Sequence, residues 1–457
     1  MKFNYNFCIN VDPASESNAA AIMKLFICML AFVASAMAEQ TNGDLLKSSN
    51  EIFTAKMFQE VVKSNPGANV VLSAFSVLSP LAQLSLASEG ETHDEIMTAI
   101  GMPNDNVTKE VFTDVTRQLR SVKGVELSLA NKVYIRKNAL LNDEFAALSR
   151  DVFNSDVQNI DFAQNVEAAK EINTWVEENT NHKIKDLVSS DSLDELTAAV
   201  LVNAIYFKGR WKKRFPKNNT EDKDFYVSKE VKIKKPTMRV IDNFKYGESQ
   251  ELNAKLLEIP YEGDLSSLLI VLPNEVDDIG FVVEKLKDPS VLSKAVDDMR
   301  YNEVTVDLPK FKIETTTDLK EVLKKLNIKT MFIDNVAKIS KLVKNKSNLF
   351  VSEAVQKAFI DVNEEGTEAA AANTFLIYKM AGFIPHRTLF KVDRRQVSMF
   401  FKYQLQSSIE VNMVDFLLIT MIFIVTSFEH IRQFANSFQF SSHTLKSLSR
   451  LTNVVYQ

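Results

Sequence analysis

The side chains that most often carry enzyme chemistry are histidines, cysteines and paired carboxylates, and their spacing in this sequence does not suggest a catalytic site. No two of the five histidines have the spacing of metal ligands, so we expect each to be a surface or core residue. They are His93, His182, His386, His430 and His443. The pairs Asp297–Asp298 and Glu364–Glu365 are adjacent in sequence. Adjacent side chains of a strand point to opposite faces, so neither pair is expected to perform acid–base catalysis. With no histidine pair at ligand spacing, no metal site is predicted either.

Sequence motifs for catalysis and phosphate binding are also missing. No G-x-S-x-G, H-E-x-x-H or C-x-x-C pattern occurs, and the 11 glycines are too scattered to form a G-x-G-x-x-G or Walker loop. We therefore expect no nucleotide cofactor. The formal net charge of -5 gives no general attraction to nucleic acid. An enzyme is the class with the least support.

The stretch NEEGTEAAAANTFLIYKMAGF, residues 363–383, combines an acidic start, one glycine, four alanines and bulky apolar residues. Its first half favours the start of a helix, because alanine is the best helix former and Thr367 can cap. The following TFLIY favours a strand. If the whole stretch forms one strand, Thr367, Ala369 and Ala371 share a small, uncharged face that can enter a core. Gly366 has no Cβ and can act as a hinge.

Helices and strands that would position this stretch alternate without a regular β-α-β order. Amphipathic helices are predicted over residues 52–62 and from Val166 onward. The apolar runs ELTAAVLVNAIYFKGRW and SSLLIVLPNE predict strands buried on both faces. In EVTVDLPKFKIE, Val304, Val306 and Leu308 alternate on one face, and the proline marks a change of strand pairing. A hydrophobic content of 46% is enough for a large core.

Together, these segments resemble the serpin family. The family's reactive-centre loop begins with a hinge that is matched here by Glu364, Glu365, Gly366, Thr367, Glu368, Ala369, Ala370, Ala371 and Ala372. Further matching blocks, in family order between Asp44 and Arg394, are NVVLSAFSVLSPLAQLSLASEGET, ANKVYI, INTWVEENTNHKIKDLV, LVNAIYFKGRW, LEIPYEGDLSSLLIVLP and LPKFKIE. The resemblance implies an α+β serpin fold with three β-sheets, about nine helices and an exposed reactive-centre loop at about residues 364–388.

The same resemblance implies a suicide-substrate inhibitor of serine proteases. A protease attacks the loop and forms an acyl-enzyme, and the hinge then enters a central sheet and drags the protease with it. Family spacing places the reactive bond between Met380 and Ala381, with Lys379–Met380 as the alternative. Lys379 would suit a trypsin-like pocket, and Met380 an apolar pocket of the chymotrypsin or elastase type. The alternative function is a non-inhibitory binding or carrier protein with the serpin fold.

The resemblance also implies a polar interior group beneath the sheet that opens, named the shutter and breach. Its members would be Asn69, Ser73, Ser76, Asn203, Trp211 and Gln356. The family often has a histidine where Gln356 stands and a proline where Ala74 stands. For each polar residue of this group, a role in folding alone is the competing interpretation.

The amino-terminal residues carry a processing signal. Residues 23–38, MKLFICMLAFVASAMA, combine a lysine, a short apolar run and a small-x-small cleavage site, so we predict a secreted, extracellular protein. Residues 1–22 form an upstream extension that is not translated if synthesis begins at Met23. Cys8 and Cys28 are the only cysteines, and both precede the cleavage site, so no disulfide is expected in the mature protein.

Three sequons fit passage through the secretory route, and their asparagines are glycosylation candidates: Asn106, Asn218 and Asn345. The expected partner is a target serine protease. We expect a monomer that has no metal or other cofactor and that associates with neither nucleic acid nor membranes.

The resemblance stops near Arg394, so the serpin domain is assigned to residues 39–394. Residues 395–457 form a divergent, glycine-free tail in place of the family's last strands. Losing those strands would expose core and an unpaired edge. Three origins are considered: substitute strands formed by VSMFFKYQL and FLLITMIFIV, a membrane segment, and, as the preferred one, an alternative exon or misread splice junction.

Overall fold

The computed structural model describes residues 42–120, 125–264, 266–344, 349–367, 388–402 and 424–425. Within these residues there are nine α-helices and fourteen β-strands. The helices are α1 (Asn42–Ser64), α2 (Ala74–Ala87), α3 (Gly90–Ile100), α4 (Asp105–Arg120), α5 (Asp143–Phe153), α6 (Asn165–Asn179), α7 (Ile279–Lys285), α8 (Pro289–Asp297) and α9 (Leu319–Lys325). The strands are β1 (Val125–Arg136), β2 (Asp156–Ile160), β3 (Ala199–Arg210), β4 (Glu221–Tyr226), β5 (Lys232–Ser249), β6 (Ala254–Pro260), β7 (Ser266–Pro273), β8 (Arg300–Pro309), β9 (Phe311–Asp318), β10 (Glu353–Asn363), β11 (Gly366–Thr367), β12 (Thr388–Lys391), β13 (Val397–Lys402) and β14 (Ile424–Val425).

The first sheet has six strands in the order β2-β1-β3-β11-β10-β9. Strand β3 comes from the longest apolar run and is buried on both faces, as predicted. Its residues Val200 and Val202 pack in the cluster that includes α6, whereas Leu201 packs in the cluster formed with helices α1 to α4. Two layers of helices therefore cover this end of the strand, which explains why its sequence does not alternate.

The second sheet has eight strands in the order β12-β8-β5-β6-β7-β13-β14, with β4 paired to β5. Strand β5 has 18 residues and joins two parts of this sheet. Residues 237–246 of β5 pair with β8, and residues 245–249 pair with β6. The expected α+β architecture is confirmed, but the described strands form two sheets instead of the expected three, because β5 joins the strands of the second sheet into one continuous ladder.

A proline marks the point where the chain changes sheets. Strand β8 ends at Pro309 in the second sheet, and β9 begins at Phe311 in the first. Proline has no N–H to donate to a ladder, so pairing stops where the sequence predicted it.

The predicted helices are present, but their limits differ. Helix α1 begins at Asn42, ten residues before the predicted start, because polar residues such as Ser49 and Asn50 are buried and blur the apolar period. Helix α6 ends at Asn179, since Asn181 and His182 adopt positive φ values of 50° and 57°. Such values interrupt a right-handed helix.

The residues just after Arg394 form a strand. Strand β13 pairs antiparallel with β7, from Val397 opposite Val271 to Lys402 opposite Ser266, and β14 pairs with β13. The first part of VSMFFKYQL is thus a strand at this side of the sheet. Among the residues that the structure describes, no helix is long and apolar enough to cross a bilayer.

Candidate functional site

The hinge segment begins within the first sheet. Strand β10 ends at Asn363, the chain turns, and β11 returns between β10 and β3. Strand β11 is antiparallel to both neighbours, with Thr367 opposite Gly209 of β3 on one side and opposite Val362 of β10 on the other. Beyond this point, residues 200–206 of β3 pair directly with residues 353–359 of β10, in parallel. Strand β11 therefore occupies the first two positions of an additional central strand.

Two glycines make this arrangement sterically possible. Gly366 has a φ of 155°, and a Cβ there would lie 2.0 Å from the carbonyl oxygen of Gly209. A Cβ on Gly209 would lie 2.8 Å from Cδ1 of Tyr261. Only glycine allows backbone and ring to approach this closely. The predicted hinge position of Gly366 has a direct steric reason.

Two aromatic residues, Trp211 and Tyr261, lie on the inward side of β11. The rings of Trp211 and Tyr261 are stacked, with centroids 4.7 Å apart and planes 8° apart. The Tyr261 hydroxyl and Thr367 Oγ1 form a hydrogen bond of 2.8 Å, and both residues are completely buried. Burial disfavours the phenolate and raises the pKa of Tyr261 well above its usual value, although the Thr367 hydrogen bond acts against the shift. The hydroxyl therefore keeps its proton.

The turn before β11 is fixed by main-chain hydrogen bonds. The N–H groups of Trp211 and Phe215 donate to the carbonyl oxygens of Glu365 and Glu364, each at 3.0 Å. The Trp211 indole Nε1 donates to the carbonyl of Asn363 at 2.9 Å. Trp211, predicted from the family resemblance, thus contacts the start of the hinge directly.

Two acidic side chains of the hinge bind different cations. Glu364 accepts a hydrogen bond of 2.9 Å from Thr220 Oγ1 and pairs with Lys310 Nζ at 2.9 Å. Glu365 pairs with Lys217 at 3.1 Å and Arg214 at 3.4 Å. Burial alone would raise the pKa of Glu364, but the hydrogen bonds from Lys310 and Thr220 outweigh it and lower the pKa. Glu364 and Glu365 lie in the turn between β10 and β11 instead of in a strand, and each carboxylate has its own cationic partners.

A buried polar network joins β3 and β10 beneath α2. Gln356 of β10 lies opposite Asn203 of β3, and its Nε2 donates to Asn203 Oδ1 at 2.6 Å. The same amide donates to the carbonyl of Ser73 at 2.8 Å, and its Oε1 accepts from the Ser73 N–H at 3.2 Å. Ser76 Oγ donates to Asn203 Oδ1 at 2.9 Å. All four residues are fully buried. Gln356 therefore joins β10 to β3 and to Ser73 at the start of α2.

Asn69 lies apart from these four residues. It is half-buried, and its carbonyl accepts a 3.5 Å hydrogen bond from Thr315 on β9. Sequence reasoning missed Asn131, whose Oδ1 accepts from Asn203 Nδ2 at 2.5 Å, and it missed Tyr261 and Lys310. Tyr261 lies in the quoted block LEIPYEGDLSSLLIVLP, but its inward contact with the hinge follows only from the pairing of β11.

Several predicted residues lie outside the part of the chain that the structure describes. They are Glu368, Ala369 to Ala372, Lys379, Met380, Ala381, Asn345 and the whole of residues 1–41. Of the glycosylation candidates, Asn106 and Asn218 are described, and both side chains are exposed.

Comparisons with known proteins agree with this geometry. The sequence model described as "Serpin (serine protease inhibitor)" matches residues 48–399. Alaserpin of Manduca sexta is 57% identical over 354 residues, which are 77% of this chain and 90% of that protein. Antitrypsin of Bombyx mori is 58% identical over 354 residues, with the same two coverages. The crystal structure of Serpin48 from Tenebrio molitor is 34% identical, has a TM-score of 0.73, and is matched over 85% of this chain and 97% of its own.

Three findings lead to one conclusion: the family model matches most of the chain, the reported curated relatives are more than half identical, and the first sheet already contains the start of an extra strand. The chain belongs to the serpin family, and it is a serine protease inhibitor rather than an enzyme.

Proposed function

We propose that this protein is a secreted suicide substrate that traps serine proteases covalently by inserting its reactive-centre loop. The observation that carries the proposal is the position of β11, because the segment that would have to enter the sheet has already done so over its first two residues. The remaining residues of the loop would continue the same ladder between β3 and β10.

The topology supplies a reason for the insertion to be favourable. Strands β3 and β10 are parallel where they touch, and an inserted strand is antiparallel to both. One parallel interface becomes two antiparallel ones, and antiparallel pairs are slightly more stable per residue. Each new backbone hydrogen bond contributes about 1 kcal/mol net, so about ten of them make about 10 kcal/mol available.

The sequence of the hinge suits entry into a closed interior. Thr367 is completely buried, which supports an inward orientation of its side chain. The same parity directs Ala369 and Ala371 inward, where small side chains meet little steric resistance. We assign the hinge to residues 364–372 and the network of Gln356, Asn203, Ser73 and Ser76 to the barrier that the inserting strand must open.

The reactive bond is proposed to lie between Met380 and Ala381, with Lys379–Met380 as the alternative. Met380 would suit a chymotrypsin- or elastase-like protease and Lys379 a trypsin-like one. The relatives named antitrypsin and antichymotrypsin-2, both from Bombyx mori, are 58% and 57% identical to this chain, so both specificities occur among similar sequences. Mass spectrometry of the peptide released by the protease distinguishes the two bonds.

Secretion is proposed from the signal-like residues 23–38 and from the exposed sequon asparagines Asn106 and Asn218. Expression in insect cells, followed by amino-terminal sequencing of the medium, is expected to give Glu39 as the first residue. Recovery of the protein only inside the cells would contradict this part of the proposal.

Incubation with trypsin-, chymotrypsin- and elastase-like proteases tests the inhibitory mechanism. We expect a band that resists detergent and has the mass of protease plus inhibitor less the carboxyl-terminal peptide that acylation releases, and we expect it to be lost when the protease serine is replaced by alanine. Loop cleavage by all three proteases without such a band would instead support a non-inhibitory carrier with the serpin fold.

A further inference from the structure

Three large apolar or aromatic side chains are exposed on the outward face of strands β12, β8 and β5 in the second sheet. They are Leu389 of β12, Tyr301 of β8 and Ile241 of β5, which are 52%, 72% and 41% exposed. Their neighbours Phe390 and Val240, on the opposite face, are buried in the core. The solvent face of such a sheet normally carries polar residues, so large apolar side chains grouped on it indicate a contact surface.

The register of the sheet places Leu389 and Ile241 on either side of a single residue. Thr305 of β8 lies opposite Leu389 in the parallel ladder with β12 and opposite Ile241 in the antiparallel ladder with β5. Neighbouring strands are about 4.8 Å apart, so Leu389 and Ile241 are about 10 Å from each other across half-buried Thr305. Tyr301 lies on the same side of β8, about 13 Å along the strand.

Two ion pairs lie at the end of this surface that is farther from Tyr301. Arg239 Nε and Nη2 donate to the buried carboxylate of Asp307 at 2.6 and 2.7 Å. Lys391, which lies opposite Asp307 in the ladder, pairs with Asp393 at 3.2 Å. Charges of both signs are matched within the chain here, so the surface favours an apolar contact over a partner of one strong charge.

The proposed reactive bond is tethered closely to this surface. Strand β12 begins at Thr388, opposite Val304 of β8 and seven residues after Ala381. Seven or eight residues span at most about 30 Å, whereas the 12 or 13 residues between Thr367 and the bond span up to about 45 Å. A protease domain of about 230 residues has a radius of gyration of about 17 Å, so it is wider than the shorter tether is long. A protease at the bond is therefore confined to the surroundings of Thr388.

We propose that the outward face of β12, β8 and β5 is a docking surface for the target protease. Leu389, Ile241 and Tyr301 contact apolar side chains beside the part of the protease cleft that holds the residues after the reactive bond. This inference rests on the proposed function, because that function places the protease at the loop. Acylation cuts the loop between the acylated residue and Thr388, so the surface acts only on the encounter that precedes acylation. It therefore sets the rate of inhibition and not the yield of trapped protease.

Binding of an inactive protease measures this contact without acylation. Trypsin, chymotrypsin and elastase with alanine in place of the catalytic serine can bind the loop but cannot be acylated by it. Isothermal titration calorimetry gives the dissociation constant for the one of the three that the wild type binds most tightly. Ile241→Asn lies outside the loop and should raise this constant about fivefold, Leu389→Asn should do the same, and the double variant should raise it about twentyfold.

The active form of the same protease tests the effect on rate. The second-order rate constant of complex formation should fall by the same factors in these variants. The yield of detergent-resistant complex per cleaved inhibitor should stay at the wild-type value. A wild type that binds the inactive protease but gives no such complex with the active one would contradict the proposed function and not the docking surface.

Leu196→Asn is the matched control. Leu196 is 73% exposed and precedes β3 at the end of that strand opposite to the hinge, so its replacement should change the dissociation constant less than about twofold. Equal dissociation constants for wild type, Ile241→Asn and Leu389→Asn would overturn the docking surface and leave covalent trapping intact. Failure of all three inactive proteases to bind the wild type would overturn it as well.

Two further measurements identify other occupants of this surface. A lower thermal midpoint of intact Ile241→Asn, with unchanged protease binding, would show that another segment of this chain covers the surface. A wild-type dimer that Ile241→Asn dissociates in analytical ultracentrifugation would show that a second copy covers it. Either result would overturn the proposal, and we expect a monomer with an unchanged thermal midpoint.

Discussion

The hydrogen bond between Tyr261 and Thr367 is the contact through which a single hydroxyl holds the start of the hinge. Tyr261→Phe removes that hydroxyl and keeps the ring that stacks on Trp211. The Thr367 hydroxyl then stays buried without its partner, so we expect the intact protein to lose about 1–2 kcal/mol in the free energy of unfolding. Urea denaturation followed by tryptophan fluorescence measures the loss.

The control for Tyr261→Phe is Tyr134→Phe. Both tyrosines are fully buried, but the Tyr134 hydroxyl has no hydrogen-bond partner in the structure. Its removal should leave the free energy of unfolding unchanged or raise it slightly. Equal destabilisation by both substitutions would show that the Tyr261 hydroxyl makes no specific contribution.

Glu364 gives the hinge a dependence on pH. Its pKa in the folded protein is below the ordinary glutamate value, so its stabilising contribution is complete above that ordinary value of 4.5 and is lost as the pH falls through the folded pKa. Because Lys310 is partly exposed, solvent screens the pair, and we expect the contribution to be about 1 kcal/mol.

Comparison of wild type with Glu364→Gln isolates this effect from the other carboxylates. Between pH 7 and pH 3.5 or so, wild type should lose about 1 kcal/mol more unfolding free energy than the variant. Unfolding free energies measured at several pH values in that window check it. Parallel curves for the two proteins would contradict the assigned role of Glu364.

Strand β11 shows which features of the secondary structure can be predicted from the sequence and which cannot. Apolar runs and parity predicted β3, β7 and the inward face of Thr367, because burial on both faces and the two-residue period are local properties of the chain. The insertion of β11 between β3 and β10 depends on pairing between residues about 160 positions apart, such as Thr367 and Gly209. The local periodicity of the sequence carries no information about such pairing. The ion pairs of Glu364 and Glu365 were missed for the same reason.

A substitution at Thr367 tests whether the inserted strand tolerates a charged side chain on its inward face. Thr367→Arg places a charge at a fully buried position of β11, beside the Tyr261 hydroxyl. Because Thr367 already lies in the sheet of the intact protein, the arginine should displace the two residues of β11 from it, and insertion after cleavage must then bury the charge. The hinge should therefore enter the sheet slowly, and the acyl-enzyme should be hydrolysed first, which turns the inhibitor into a substrate. The yield of the detergent-resistant complex per cleaved inhibitor is the measurement.

Glu368→Arg is the matched control for this prediction. Parity directs residue 368 to the opposite, solvent-facing side of the strand, so the same charge one position later should leave the yield of complex close to that of wild type. Two variants with the same yield would refute the assignment of the inward face.

The whole molecule has a topology that should store free energy in its intact form. Cleavage of the loop at Met380 or Lys379 frees the hinge to extend β11 along the boundary between β3 and β10, where the parallel pairing is replaced by two antiparallel pairings. About ten new hydrogen bonds should add about 10 kcal/mol, so the cleaved protein should melt tens of degrees higher, roughly, than the intact one.

Calorimetry of intact and cleaved protein, with the cleavage products left together, measures the difference. The cleaved Thr367→Arg variant should gain much less, because the two-residue β11 can leave the sheet in the intact variant, whereas the fully inserted strand must bury the charge. A cleaved wild type that melts with the intact protein would mean that the sheet does not accept the loop. Since covalent trapping depends on that insertion outrunning hydrolysis of the acyl-enzyme, the suicide-substrate mechanism would fail with it, although the serpin fold would stand.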